Sequence, residues 1–471
     1  MLDLSKKNIR KQPRFGGIFD EIKYPNGCFE KEILISSVPK FDEVKEYLSE
    51  AYASDCDGTQ LCCLEDELSD YTQLPYALAV SSGQVALQLA LKLAAEKLYG
   101  SSSWIKAPHG FGRGGALSGE KCFCPNFVSA DRVNPVVFEG GEPVFIDLGD
   151  PGVCMDPEVL RLAWQKYPDV KIVIYDHAYG FPGDVLSIRK LCNEHNAIMI
   201  ECVSDAFGAE YRIEKDTPDG KSVMVKAGVM GDYAVLDFAG DKIIGYGGGA
   251  LLMKDDYSYR KANYWATGAM ADVPWYEHDE IGMSCAMSDT EAAVIRGQLL
   301  HLDEIIEKKK AIFERYYEKL NNDLAYIVPV TENTKPNYWL TVMTAESSIQ
   351  FNEVRNDRRY VYQSIHGIAA PMEIYDALQA FGADCTPVYK PMSMQPVYKN
   401  YEYFTLDGPW RMYESFDNDN FSLRCDRARA YYESGICLPC DVSMTEEEQD
   451  IIISIIIACY DKPDLNRLAR V

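Results

Sequence analysis

Short apolar runs rich in Val and Ile alternate along this chain with stretches whose apolar residues return every three or four positions. Residues 76–80, 143–148, 170–175 and 197–201 are of the first kind, with the length and β-branched content of buried strands. Residues 39–52, 61–71 and 185–194 are of the second kind. Directly after Ser81-Ser82-Gly83, Ala86, Leu87, Ala90, Leu91 and Leu93 also keep helical spacing. The pattern predicts a strand, a tight turn and a helix from residue 76 onward, then β-α-β from 170 to 201. Such alternation builds a parallel sheet covered on both faces, with ligands held beyond the carboxyl ends of its strands.

Further along, Ser288-Asp289-Thr290-Glu291 has the form of a capping box. It opens a helix expected to run to about residue 320, with Ile295, Leu299, Leu302 and Ile306 on one stripe, as a strut between two units. Beyond it the pattern predicts a strand over 337–344, a polar excursion over 346–372, and a last helix capped by Thr445 and Glu448 and ending at Tyr460. That second unit reads as α+β. The Ser- and Gly-rich residues 100–121 read as a loop or insertion.

Composition narrows the function classes. The 471 residues carry 72 Asp and Glu against 47 Lys and Arg, a formal charge of −25 that repels polyanions and argues against a nucleic-acid partner. The amino-terminal residues lack the apolar core of a secretory signal, so the expected compartment is the cytoplasm. The most apolar run, 451–459, is about half of what spans a bilayer, and no membrane partner is expected. Fifteen cysteines and six scattered histidines suit reduced thiols better than a disulfide framework or a zinc site, and no metal is predicted. Cys437-Leu438-Pro439-Cys440 reads as two structural thiols.

Candidate chemistry concentrates in residues 231–253, where Lys242 sits between two apolar strand-like runs flanked by glycines. A lysine in such a buried turn is costly unless it is paired or used as an amine nucleophile. Two readings of the segment stand together: a Schiff-base lysine, and a surface lysine in a Gly-rich hairpin.

The order of motifs resembles the DegT-type sugar aminotransferases, a fold-type-I family dependent on pyridoxal 5′-phosphate (PLP). The stretch from Leu74 to Leu87 resembles the family's strand, phosphate turn and helix. Pro125-Asn126-Phe127 resembles its segment with a ring-stacking aromatic, and Tyr179-Gly180-Phe181-Pro182-Gly183-Asp184 its Y-G-x-P-A-D. Residues 200–209 are similar to I-E-D-A-A-Q-A-H-G-A, 237–249 to S-F-x-x-x-K-x-x-x-x-G-x-G-G, 281–287 to L-G-Y-N-Y-R-M, and 391–396 to P-L-H-L-Q-P. The resemblance implies an α/β fold in three parts. These are an arm over 1–38, a large domain over 39–300 whose mainly parallel sheet is flanked by helices, and a smaller C-terminal α+β domain over 301–471. Residues 100–121, 213–228, 346–372 and 405–430 stand as insertions. It implies amination of a keto sugar or nucleotide-linked sugar with an amino acid as donor, in a homodimer whose subunits share the active sites.

By the same resemblance Lys242 carries the cofactor as a Schiff base and moves the proton. Ser82, Gly83 and Gln84 hold its phosphate at a helix N-terminus, and Phe127 stacks on its ring. Several positions depart from the pattern. The aspartate that partners the ring nitrogen falls on Cys202, a weak partner as a thiol, and Asp205 replaces the glutamine near the phenolic oxygen. On this alignment either Cys202 or Asp205 faces the nitrogen, and Cys202→Asp is expected to strengthen the electron sink. Asp237 replaces a phosphate-binding serine and needs a cation beside it or a proton, while Ser284 replaces an asparagine given by the neighbouring subunit. Phe207, Ala286 and Ser393 replace polar contacts on the substrate side. A second class of function stays open: a homologue that keeps fold and dimer, binds no PLP and serves as a binding or scaffold protein.

Overall fold

The computed structural model describes residues 29, 31–53, 58–100, 115–149, 152–214, 222–321, 325–345, 353–356, 359–363, 365, 367–411 and 426–461. Most of the expected arm over 1–38, and much of the insertions expected over 100–121, 346–372 and 405–430, lie outside the described residues.

The first nine strands in chain order are β1 (Tyr76–Val80), β2 (Lys121–Pro125), β3 (Glu142–Ile146), β4 (Ile172–Asp176), β5 (Ile198–Cys202), β6 (Glu210–Glu214), β7 (Ser222–Lys226), β8 (Tyr233–Asp237) and β9 (Gly249–Met253). Seven of them form the large sheet in the order β1-β9-β8-β5-β4-β2-β3. The pairs β8-β5, β5-β4, β4-β2 and β2-β3 are parallel, and β9 runs antiparallel to both its neighbours. Every residue of β4, β5 and β9 is buried, as near-continuous apolar runs require when helices cover each side. The hairpin Glu402–Thr405 and Gly408–Arg411 extends this sheet beyond β3, so part of the C-terminal third returns to the large unit.

One face of the sheet packs on helix Gly83–Tyr99, here α1, and on Asp256–Ala266, with Leu87, Leu91, Val235, Leu251 and Trp265 in one apolar cluster. The other face shares a second cluster with the C-terminal unit. That unit has a small sheet of Ala325–Ile327, Thr341–Ala345, Gly435–Leu438 and Thr386–Pro387, strung in that order. Helices Leu302–Leu320, Pro371–Phe381 and Glu446–Tyr460 accompany it.

Both capping boxes form. Ser288 and Thr445 accept from the backbone of Glu291 and Glu448, whose carboxylates reach back to the cap residues. The long strut, however, is two helices, Asp289–Leu299 and Leu302–Leu320, interrupted at Leu300 and His301. The apolar stripe runs through the break because Leu299, Leu302 and Ile305 are buried on either side of it, so spacing alone did not reveal it. The expected strand over 337–344 begins only at Thr341, because the residues before it are drawn into the site described next. Strand β6 leads into the insertion expected over 213–228 and pairs with β7 inside it, and Glu353–Asn356 with Arg359–Tyr362 make a hairpin within 346–372. Cys437 and Cys440 are buried, unbridged thiols.

Candidate active site

Val80, Asp176, Cys202 and Asp237 end β1, β4, β5 and β8 at one edge of the sheet. Just past β1, the Ser82 hydroxyl accepts from Val85 N at 3.2 Å and caps α1. Gly83 opens the helix and is small because β8 ends against it: a Cβ there would lie 2.5 Å from the Cβ of Asp237. The contact sets the Asp237 carboxylate on the helix N-terminus, where Oδ1 accepts from Gly83 N at 3.4 Å. Gln84 follows, half-buried, in the same first turn.

Lys242 lies in the loop from β8 to β9. Gln298, on the helix that follows the capping box, clamps this loop: Oε1 accepts from Gly245 N at 2.7 Å and Nε2 donates to Gly245 O at 3.3 Å. From the other side Trp339 Nε1 donates to Asp241 O at 2.7 Å. The Lys242 side chain is 7% exposed, and its Nζ donates to Asp205 Oδ1 at 2.8 Å. The same nitrogen lies 4.1 Å from the centre of the Trp339 ring. Burial, the largest influence, pulls the amine's pKa down, but the charge and hydrogen bond of Asp205 together with the charge of Asp241 outweigh it, and the net shift is upward. Lys242 is therefore a buried, paired cation rather than a surface residue of a hairpin.

Asp205 is saturated. Its Oδ2 accepts from Tyr389 Oη at 3.2 Å and from Tyr179 N at 3.4 Å, and Asn337 Nδ2 pins its carbonyl at 2.9 Å. Tyr179 reaches Asp205 by taking a left-handed φ of 58°, unusual for a bulky residue, and its ring stacks on Tyr389 at 4.7 Å. Phe127 is buried edge-on against both, its centroid 5.9 Å from Tyr179 and 6.2 Å from Tyr389.

Beneath the pair lies a second buried charge cluster centred on Arg132. Its guanidinium is ion-paired to the neighbouring Asp131. Nε stands 3.6 Å from Asp176 Oδ1, and Nη1 3.6 Å from Asp237 Oδ2. Arg132 Nη2 and both Asp176 oxygens are buried without a hydrogen-bond partner. Burial, reinforced by the charge of Asp205, pushes the Asp176 carboxyl well up. Burial also raises Asp237 against the pull of Arg132, and places the Cys202 thiol far above the range in which it ionises.

The structure thus brings Ser82, Gly83, Gln84, Cys202, Asp205, Asp237 and Lys242 to one edge, with Phe127 on the aromatic wall beside Asp205. Ser284 is exposed and bridged to Thr267, and the next carbonyl, of Cys285, accepts from Ser81 N at 2.8 Å. Ala286 is exposed, whereas Phe207 and Ser393 are buried. Arg132, Asp176, Trp339, Tyr389 and Asn337 escaped the sequence reading. A signal existed for one of them: Asp176 closes an all-apolar run.

The chain resembles known proteins along nearly its whole length. A proposed pyridoxal phosphate-dependent aminotransferase of Bacillus subtilis, EpsN, is 26% identical over 446 residues, covering 93% of this chain and 98% of that protein. The GDP-perosamine synthase of Escherichia coli O157:H7 is 25% identical over 343 residues, 70% of this chain and 85% of the synthase. Among solved structures, the PLP-form of a proposed sugar aminotransferase from Streptococcus pneumoniae superposes with a TM-score of 0.71 at 18% identity. It covers 92% of this chain and 99% of that one, and so shares the PLP fold type I. With its residues 39–457 matching the family model, the chain belongs to the DegT/DnrJ/EryC1/StrS aminotransferase family.

Proposed function

We propose that the protein is a PLP-dependent aminotransferase that aminates a keto sugar, or a sugar carried on a nucleotide, with an amino acid as donor. The observation that carries this is the buried Lys242–Asp205 pair at the carboxyl edge of the sheet, beside the N-terminus of α1, in a chain of this family. Relatives such as GDP-perosamine synthase support the sugar as acceptor.

The residues present fit the cofactor. The unpartnered Arg132 Nη2 and Asp176 oxygens are buried polar atoms that suit a polar ligand, and the helix N-terminus at Gly83 suits a phosphate once one displaces the long contact, 3.4 Å, from Gly83 N to Asp237. Ser82, Gly83 and Gln84 would hold the phosphate, with Asp237 and Arg132 adjusting its charge. Phe127 would face the ring, with Cys202 and Asp205 beneath it, and Ser284 would reach in from a second subunit. Bound at Lys242, PLP supplies an electrophilic carbon and an electron sink. The chain's own part is proton control. Asp205 Oδ1 holds the proton of Lys242 Nζ and receives it when the amine is freed to act as nucleophile and then as base. Tyr389 Oη and Tyr179 N keep Asp205 oriented, and Trp339 keeps water from the amine.

A homodimer is supported by the exposed Trp275, Tyr276 and Ile281, which precede Ser284 in one segment. Unbridged thiols throughout the described residues support the cytoplasm. A second reading, a binder without PLP, is favoured by one observation: the Asp237 carboxylate already occupies Gly83 N. Visible absorbance of the protein with excess PLP, before and after borohydride, separates the two. A band that reduction fixes onto Lys242, and that Lys242→Ala lacks, establishes the cofactor site; its absence in the wild type leaves the binder.

A further inference from the structure

We infer that Asp176, not residue 202 or Asp205, is the carboxylate that partners the ring nitrogen of the cofactor, which rests on the PLP reading above. The family places that aspartate at the end of β5, where this chain has Cys202. Asp176 ends β4, the adjacent parallel strand, and is the direct register partner of Cys202. Register partners in neighbouring strands lie about 5 Å apart and project from the same face, so the carboxylate has moved sideways by one strand.

The other candidates are excluded by their own bonds. Cys202 is fully buried among neighbouring acids and stays a neutral thiol. Asp205 has Oδ1 committed to Lys242 and Oδ2 to Tyr389 and Tyr179. Asp237 is spent on the helix N-terminus and Arg132. Asp176 is 3% exposed, and both its oxygens lack a hydrogen bond; its approach to Arg132 Nε, at 3.6 Å, is an ion pair too long to be one. A carboxylate buried this way without a donor is costly to the folded state unless it is protonated or meets a ligand that brings a proton. A pyridinium N–H brings one.

The test reads cofactor affinity rather than turnover, by absorbance titration with PLP of the full chain carrying Asp176→Asn, Cys202→Asp, or both. Expected are a roughly tenfold weaker Kd for Asp176→Asn, no tightening for Cys202→Asp alone, and recovery of most of the loss in the double variant. Melting of the cofactor-free proteins is measured alongside. A carboxylate that merely balances Arg132 would lower the melting temperature of Asp176→Asn without moving Kd, and that result overturns the inference. So does a roughly tenfold tighter Kd for Cys202→Asp alone, which means the ring nitrogen lacked a carboxylate and which needs no change at Asp176 should Asp176→Asn not fold. A wild type that takes up no PLP overturns the functional reading and this inference with it. A wild type that binds, with Asp176→Asn within twofold of it, overturns this inference alone.

Discussion

The Lys242–Asp205 pair invites a double-mutant cycle: Lys242→Met, Asp205→Asn and the double variant, each free of cofactor. At 2.8 Å and an effective dielectric of about 20, the Coulomb attraction is about 6 kcal/mol. Desolvating two ions returns several kcal/mol of this, so the pair nets little against an apolar replacement while either half alone is expensive. Lys242→Met leaves Asp205 with only Tyr389 Oη and Tyr179 N, and should destabilise the fold by about 3 kcal/mol. Asp205→Asn, which keeps an acceptor, should cost about 1–2 kcal/mol. The double variant should return to within about 1 kcal/mol of the wild type, a coupling of roughly 3 kcal/mol. The assay is urea unfolding followed by circular dichroism at pH 8. The sign at that pH follows from Lys242, whose pKa in the fold is raised above its ordinary 10.5. Its contribution is complete below that value and fades only as pH climbs through the folded one. A coupling below about 0.5 kcal/mol, or a double variant no more stable than Lys242→Met, refutes the buried-pair account.

Asp237→Ser removes the carboxylate from the helix N-terminus and should tighten PLP binding roughly tenfold by absorbance titration; an unchanged or weaker Kd refutes the view that Asp237 competes with the phosphate. Lys309, fully buried and donating to Ser36 Oγ, Trp339 O and Cys440 O, has its pKa pulled down by burial to about 8 from 10.5. Between those values the unfolded chain binds the extra proton, so stability measured against Lys309→Met should rise by about 3 kcal/mol from pH 8 to 10.5, and a flat difference refutes the depressed pKa. Gly180→Ala puts a Cβ at a φ of +93° into Asn337 Oδ1, and should cost about 2–4 kcal/mol in urea unfolding because Asn337 pins the Asp205 loop; a loss below about 0.5 kcal/mol shows that Asn337 yields.

Much of the frame was legible because it rests on short-range pattern. The runs ending at Val80, Asp176, Cys202 and Asp237 are legible as strands because nearly all their residues are buried and apolar, and the two capping boxes state their helix starts outright. Lys242 and Asp205 were legible as separate motif positions, but their pairing was not, since it joins the loop after β5 to the loop after β8. The break at Leu300 and His301 was hidden by an apolar stripe that is continuous across it. Trp339, Asn337 and Tyr389 come from the C-terminal unit and meet the site only through tertiary packing, which no local period encodes.

The charges of the pocket form one system, and this is why the departures from the family pattern hang together. Asp131, Asp176, Asp205 and Asp237 share the site with two cations, Lys242 and Arg132. Lys242 is matched by Asp205 and Arg132 by its neighbour Asp131, which leaves Asp176 and Asp237, each about 3.6 Å from the same guanidinium and each with its carboxyl pushed up by burial. If the proposals above hold, such a site already has an anion, Asp237, at the helix N-terminus and an acceptor, Asp176, for the ring nitrogen. On the proposal that Asp176 faces the ring, a carboxylate still stands there, in register with Cys202 on the neighbouring strand. Gaining one at 237 adds a charge at the phosphate end, and Arg132 stands where it can share that charge. On this proposal Cys202 and Asp237 are coupled through Arg132, which stands 3.6 Å from Asp237 and from Asp176, the register partner of Cys202, so a variant at either position should be interpreted with Asp176 and Arg132 in view.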